Sequence, residues 1–125
     1  MLAAPGDGLA RLRFAGGELL TTLHPGPPGT RLRVRLRARD VAVAIGEPHG
    51  ISTQNVLPAT LAEILPAGEP QEVFLRLAVG PSTLLARITR DSLERLALRP
   101  GMPVWALLKA VTFDHRVATQ PEAAP

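Results

Sequence analysis

The 125-residue sequence contains no cysteine and no tyrosine, and Lys109 is its only lysine. Without cysteine, the chain can form no disulfide, no thiolate metal site and no cysteine nucleophile. No apolar run approaches the roughly 20 residues that a membrane-spanning helix needs, and the first residues do not have the charged and apolar regions of a signal peptide. His24, His49 and His115 show no ligand spacing. We therefore expect no metal cation site, no required cofactor and a cytoplasmic location.

The charge balance is poor support for nucleic-acid binding. The formal net charge is +3 although the sequence pI is about 11.0. These values agree because almost no group titrates between histidine and arginine, so only the deprotonation of arginine can cancel the charge. The high pI reflects the use of arginine in place of lysine.

Short strands and turns are predicted for most of the chain. The 11 glycines and 13 prolines are scattered, and proline breaks helix interiors and central strands. Leu9–Phe14 and a second run over 18–23 flank Gly16 and Gly17, which predicts a β-hairpin. A loop rich in proline and glycine follows over 24–29.

The segment over 30–40 is the most regular. Arginine occupies every odd position from 31 to 39, and Leu32, Val34, Leu36 and Ala38 alternate with it. In a strand, these two sets point to opposite faces. We predict one strand with a core face and a solvated row of guanidinium groups. Binding of phosphate or nucleic acid by this row is the alternative.

The second half of the chain predicts further strands and one short helix. The strands are expected over 55–65, 71–79, 83–89 and 104–113. Asp91 is the predicted helix N-cap, with Glu94 completing a capping box, and Pro100 with Gly101 ends the helix. The predicted fold is mainly β: a small antiparallel barrel of OB type with one short helix, preceded by extra β-strands. We divide the chain into a leading β subdomain (1–49), the barrel (50–116) and a disordered tail (117–125).

Several motifs resemble one known family. Ile-Ser-Thr-Gln-Asn-Val-Leu (51–57), Leu-Ala-Arg-Ile-Thr (85–89), Ser-Leu-Glu-Arg-Leu-Ala-Leu-Arg-Pro-Gly (92–101) and Val-Trp-Ala-Leu-Leu-Lys-Ala (104–110) follow each other. Together they resemble the molybdenum-binding Mop, or molbindin, module of the TOBE superfamily. The earlier Val-Arg-Leu-Arg-Ala-Arg-Asp-Val (34–41) resembles a segment of the ModC family, the ATPase subunits of molybdate importers.

The resemblance implies a C-terminal regulatory and dimerisation domain of such an ATPase subunit. It implies a homodimer formed through the TOBE domain and, in the whole protein, an ATPase domain and a membrane permease at the inner face of the membrane. The chain itself is predicted not to be an enzyme, because the Gly-rich loop ending in Gly-Lys-Ser/Thr that ATP hydrolysis requires is missing from the sequence.

The resemblance also implies an oxyanion site for molybdate or tungstate at the subunit contact. Carried over by position, its residues are Ser52, Thr53, Gln54, Asn55, Thr89, Lys109 and Ala110. Two positions depart from the family pattern: Gln54 stands where arginine is usual, and Ala110 stands where serine is usual. Gln54 offers a neutral amide with two N–H donors in place of a positive charge and a fork of donors, and Ala110 removes a hydroxyl donor, at a site that must hold a dianion.

Each site residue also has a structural interpretation. Ser52 is a typical turn residue, Thr89 a typical helix cap and Lys109 a surface charge at the end of a strand. Asn55 is expected to brace its own loop rather than contact a ligand.

Two other functions stay open at this point. A free-standing molybdate store would resemble only the second half of the chain. A nucleic-acid binder of the OB type would need an aromatic stacking surface near the arginine row, whereas Phe14, Phe74, Trp105 and Phe113 lie in apolar contexts that predict core positions. We therefore predict no nucleic-acid partner.

Overall fold

The computed structural model describes residues 2–4, 9–109 and 112–115, with side chains described for 9–109. These residues form ten strands, one short α-helix and one 3-10 turn. In chain order they are β1 (Leu2–Ala4), β2 (Leu9–Phe14), β3 (Gly17–Thr21), β4 (Leu32–Arg35), the 3-10 turn (Ala38–Asp40), β5 (Val41–Ala44), β6 (Asn55–Pro66), β7 (Glu72–Val79), β8 (Ser82–Thr89), α1 (Arg90–Arg95), β9 (Pro103–Leu108) and β10 (Thr112–His115). Among the described residues, no helix has the length and apolar character needed to cross a membrane.

The largest sheet has five antiparallel strands in the order β5-β9-β6-β7-β8. It curls until β8 contacts both β5 and the 3-10 turn, so the sheet forms a half-barrel. The remaining strands form a three-stranded sheet, β1-β2-β3, and a two-stranded sheet, β10-β4. The predicted fold class, a small OB-like antiparallel barrel with one short helix and extra leading strands, is confirmed.

Strand β6 holds the half-barrel together because it pairs with two neighbours along its length. Its first half pairs with β9 and its second half with β7, and a register shift between Leu61 and Glu63 marks the change. Pro58 is tolerated inside this strand because it lies in the half that has β9 alone as a sheet partner, and proline is accepted at strand edges.

The hydrophobic core joins the half-barrel to the strands that precede it. Leu61, Leu75 and Leu77 are fully buried at its centre, as the period of two predicts for one face of a strand. Leu12 and Leu19 of the β2–β3 hairpin belong to the same core cluster. Strand β5, which precedes residue 50, pairs with β9 inside the five-stranded sheet. The division at residue 50 stays a prediction, and the predicted tail (117–125) lies outside the described residues.

The predicted hairpin is confirmed, and it is docked closely on the half-barrel. Its turn passes so near the β7–β8 turn that a Cβ atom on Gly16 would lie 2.5 Å from the carbonyl oxygen of Val79. Only glycine at position 16 permits this close approach. The next residue, Gly17, adopts φ +147°, a conformation that L side chains rarely adopt.

Two strands are shorter in the structure than predicted. The strand predicted over 30–40 occupies only Leu32–Arg35, because its partner β10 offers just four residues before the chain turns through the 3-10 helix. The strand predicted over 104–113 is two strands. Leu108 is the last position of β9 that pairs with β5 and with β6, so the chain leaves the sheet there. The alternation of exposed arginines with half-buried apolar residues over 31–39 is confirmed.

The helix is present, and the structural interpretation of Thr89 as a helix cap is confirmed, whereas the predicted N-cap at Asp91 and the predicted end at Pro100 were wrong. Its N-cap is Thr89, whose hydroxyl oxygen accepts a hydrogen bond from the amide of Ser92. It ends well before Pro100. The amide of Leu98 donates to the carbonyl of Leu93, and the amide of Ala97 donates to the carbonyl of Glu94. Ala97 adopts φ +52°. This is a Schellman ending in which alanine takes the place usually held by glycine.

Candidate functional site

Most of the predicted oxyanion residues lie around one open cleft of about 360 Å³. One wall is the end of the β2–β3 hairpin, from Leu20 to Leu23. The other wall is the segment from Ser52 to Asn55 that leads into β6, and Lys109 lies at the end of β9. The structure therefore brings together five of the residues that the resemblance implies, namely Ser52, Thr53, Gln54, Asn55 and Lys109. Their binding of an oxyanion stays a prediction.

The antiparallel pairing of β6 with β9 explains why these distant residues meet. Asn55, the first residue of β6, is opposite Leu108, the last residue of β9. The residues just before β6 and just after β9 must then lie side by side at one end of the sheet. Lys109 is fixed there by its own backbone, because its amide donates to the carbonyl of Asp40 at 3.1 Å.

Asn55 has a different structural role from the predicted one. It does not brace its own loop. Its side-chain oxygen accepts from the amide of Leu20 at 2.6 Å, and its side-chain nitrogen donates to the carbonyl of Leu20 at 2.9 Å. Since β3 is an edge strand, these backbone groups would otherwise have no strand partner. The Asn55 amide thus fastens the two walls of the cleft to each other.

The described polar lining of the cleft consists of one cation with hydroxyl and amide groups. Among the described residues that line it, Lys109 is the only charged one, and no carboxylate faces it. Hydroxyl groups come from Ser52 and Thr53, and Gln54 adds an exposed amide. Within the described part of the chain, no three acidic or histidine side chains are grouped in a way that could hold a metal ion. The chemistry of this lining suits a small anion.

Two predicted site residues are not part of this cleft as described. Thr89 caps α1 and lines a separate cleft of about 590 Å³ beside Arg39, Arg87 and Arg95. Its hydroxyl is already engaged, because it accepts from the amide of Ser92 and donates to the hydroxyl of the same residue at 3.0 Å. Ala110 lies outside the described residues.

The structure adds threonines that the sequence did not single out. Thr21 and Thr22, at the end of β3, line the same cleft as Ser52 and Lys109. They precede the motif over 51–57 by about thirty residues in the chain. A pair of threonines after a strand is common, so their sequence carried no signal for a site.

Comparison with known proteins places the half-barrel in a defined class. Residues 51–112 match the model of the TOBE domain. The chain therefore carries a TOBE domain, and the family resemblance predicted from the motifs is confirmed.

The relatives extend the match to the leading strands. The chain is 46% identical over 105 residues to the molybdenum import ATP-binding protein ModC 1 of Azotobacter vinelandii, covering 84% of this chain and 29% of the relative. It is also 46% identical over 116 residues to ModC of Granulibacter bethesdensis, covering 88% of this chain and 32% of the relative. The chain thus spans about a third of the length of these relatives or less.

A solved structure shows the same fold. The cytoplasmic molybdate-binding protein ModG, crystallised with molybdate bound, superposes with a TM-score of 0.64 at 21% identity, covering 70% of this chain and 64% of the other. At this identity, the similarity concerns the fold.

Proposed function

We propose that this chain is the C-terminal regulatory and dimerisation part of a molybdate-import ATPase subunit, and that its cleft binds molybdate or tungstate. In this proposal the whole protein pairs through its TOBE domain, carries an ATPase domain and works with a membrane permease at the cytoplasmic face. The chain itself performs no catalysis. The ModC relatives and the match over 51–112 support this reading.

One observation carries the ligand part of the proposal. Five residues that the family pattern assigns to an oxyanion line a single cleft with one ammonium group and no described carboxylate. A dianion must shed water to enter a pocket, so its charge has to be compensated by donors or cations. Lys109, with the hydroxyls of Ser52 and Thr53, supplies that compensation.

The departures from the family pattern set the expected strength of binding. Gln54 is neutral, whereas arginine would add a charge and a planar fork of donors. A hydrogen bond to a charged group is worth roughly 1.5–3 kcal/mol, which is on the order of a ten- to hundredfold change in affinity. We therefore expect weak binding in the natural sequence.

Calorimetric titration tests this proposal on the natural sequence and on Gln54→Arg, with molybdate, tungstate and sulfate. We expect weak binding in the first and roughly ten- to hundredfold tighter binding in the second. Lys109→Ala should abolish the signal in both. Absence of binding in both proteins would contradict the oxyanion site and leave dimerisation as the function. Tight binding by the natural sequence would show that Gln54 does not weaken the site.

The free-standing store is disfavoured by the leading strands. Its resemblance would be limited to the second half of the chain, whereas the ModC relatives match 84% and 88% of the chain. Leu12 and Leu19 also share the core of the half-barrel. Sedimentation of the chain at increasing concentration tests the dimerisation part directly, and a monomer at every concentration would contradict it.

A further inference from the structure

The β2–β3 hairpin contributes a buried polar group to the cleft. Thr21 lines the cleft although only 6% of the residue is exposed. Its hydroxyl oxygen accepts a hydrogen bond from the amide of Leu23 at 3.1 Å. Among the described residues, nothing accepts the hydrogen of that hydroxyl. Since buried polar groups nearly always find partners, a donor left over in an open cleft is available to an acceptor, either water or an oxygen atom of a ligand that displaces it.

We propose that Thr21 is a further ligand residue of this cleft, and that the cleft selects tetrahedral dianions that carry no proton. The proposal rests on the oxyanion binding proposed above and deepens it. In this proposal, two parts of the chain form the site together. The TOBE segment supplies Ser52 and Lys109, and the β2–β3 hairpin supplies Thr21.

The selectivity follows from the donor chemistry of the lining. Molybdate, tungstate and sulfate are acceptor-only at neutral pH, so every donor in the cleft can point at them. Phosphate keeps a proton at neutral pH and therefore needs an acceptor of its own. The described lining offers no carboxylate for that proton. A hydroxyl or amide oxygen of the lining would accept it more weakly than a carboxylate, because hydrogen bonds to a charged group are the stronger ones.

Location strengthens the assignment of Thr21. The neighbouring Leu20 is clamped by Asn55 through both of its backbone groups. The end of β3 is thereby held at a fixed distance from the Ser52 segment. A hydroxyl on a strand that is already held in place loses little conformational freedom when it binds a ligand. Thr21 is therefore better suited to a ligand contact than a hydroxyl on a mobile loop would be.

Calorimetry on Thr21→Val and Thr21→Ser, each made in the natural sequence and in Gln54→Arg, tests the proposal. Valine keeps the shape but removes the hydroxyl, so molybdate affinity should fall roughly ten- to a hundredfold. Serine keeps the hydroxyl and should stay within a fewfold of the parent. Thr83→Val, on an exposed threonine of β8, is the matched control and should change nothing. Thermal unfolding of each variant separates loss of binding from loss of fold.

The anion series tests the class of ligand. Molybdate and sulfate should each bind the Gln54→Arg protein more tightly than phosphate by at least about tenfold. Equal affinity for phosphate would overturn the selectivity. Molybdate affinity in Thr21→Val equal to that of its parent would overturn the role of Thr21 and leave the oxyanion site intact. If no anion binds either background, the proposed ligand function fails and this inference fails with it.

Discussion

Replacing Asn55 should weaken the attachment of the hairpin to the half-barrel. Asn55 is only 8% exposed and makes two hydrogen bonds, of 2.6 and 2.9 Å, to the backbone of Leu20. Asn55→Ala removes both bonds and leaves an amide and a carbonyl of a half-buried residue without partners. At about 1–2 kcal/mol for each orphaned group, the loss is roughly 2–4 kcal/mol. That is a large share of the roughly 5–15 kcal/mol that stabilises a domain.

Urea unfolding measures this loss, and two further variants identify its cause. Asn55→Leu keeps a side chain of comparable size without the amide, so it should be destabilised by a similar amount if hydrogen bonding is the cause. Gln54→Ala changes an exposed neighbouring amide and should stay within about 0.5 kcal/mol of the parent. Hydrogen exchange at the Leu20 amide should accelerate in both Asn55 variants. An Asn55→Ala protein as stable as the parent, with unchanged exchange at Leu20, would refute the reasoning.

Two other contacts give sharp predictions of stability. Gly16→Ala should lower the free energy of unfolding in urea by about 1–3 kcal/mol, because the new Cβ would lie 2.5 Å from the carbonyl oxygen of Val79. Gly46→Ala is the control, because its new Cβ would meet nothing within 4 Å. An equal effect at both sites would argue against the close approach. Thr89→Ala should cost about 1 kcal/mol through loss of the cap on the amide of Ser92. Thr89→Ser should recover most of that stability, and failure to do so would show that the hydroxyl is not what matters.

The strand pattern was predictable because burial imposes a period of two that the sequence displays directly. Val73, Leu75 and Leu77 alternate in the sequence and are buried in β7. The ends of strands were less predictable, because a strand stops where its partner stops. Nothing in the regular alternation over 30–40 reveals that β10 pairs with only four of those residues.

The helix cap shows a second limit of the sequence. Both Thr89 and Asp91 have side chains that cap helices well, and Glu94 made Asp91 the better match to the capping-box pattern. The structure selects Thr89 because β8 ends there, which leaves its backbone extended and its hydroxyl next to the amide of Ser92. The position at which β8 ends therefore determines which of the two residues caps the helix.

The part of the proposed site that the family resemblance indicated is the part that one pair of strands brings together. Ser52–Asn55 and Lys109 meet because β6 and β9 are sheet neighbours. Thr21 belongs to a hairpin whose docking depends on Asn55 and on the absence of a side chain at Gly16. Neither contact produces a periodic pattern in the sequence, so only the structure shows that the β2–β3 hairpin forms the second wall of the cleft.

The two-walled construction of the cleft sets the condition under which the proposed ligand could act as a signal. A ligand shifts an equilibrium only when it binds one arrangement more tightly than another. An oxyanion held by Lys109 alone would bind whether or not the hairpin is docked. An oxyanion held by both Lys109 and Thr21 binds the docked arrangement more tightly, so it stabilises the hairpin on the half-barrel. Ligand-dependent protection of the Leu20 amide from hydrogen exchange, lost in Thr21→Val and retained in Thr21→Ser, is the signature that this coupling requires.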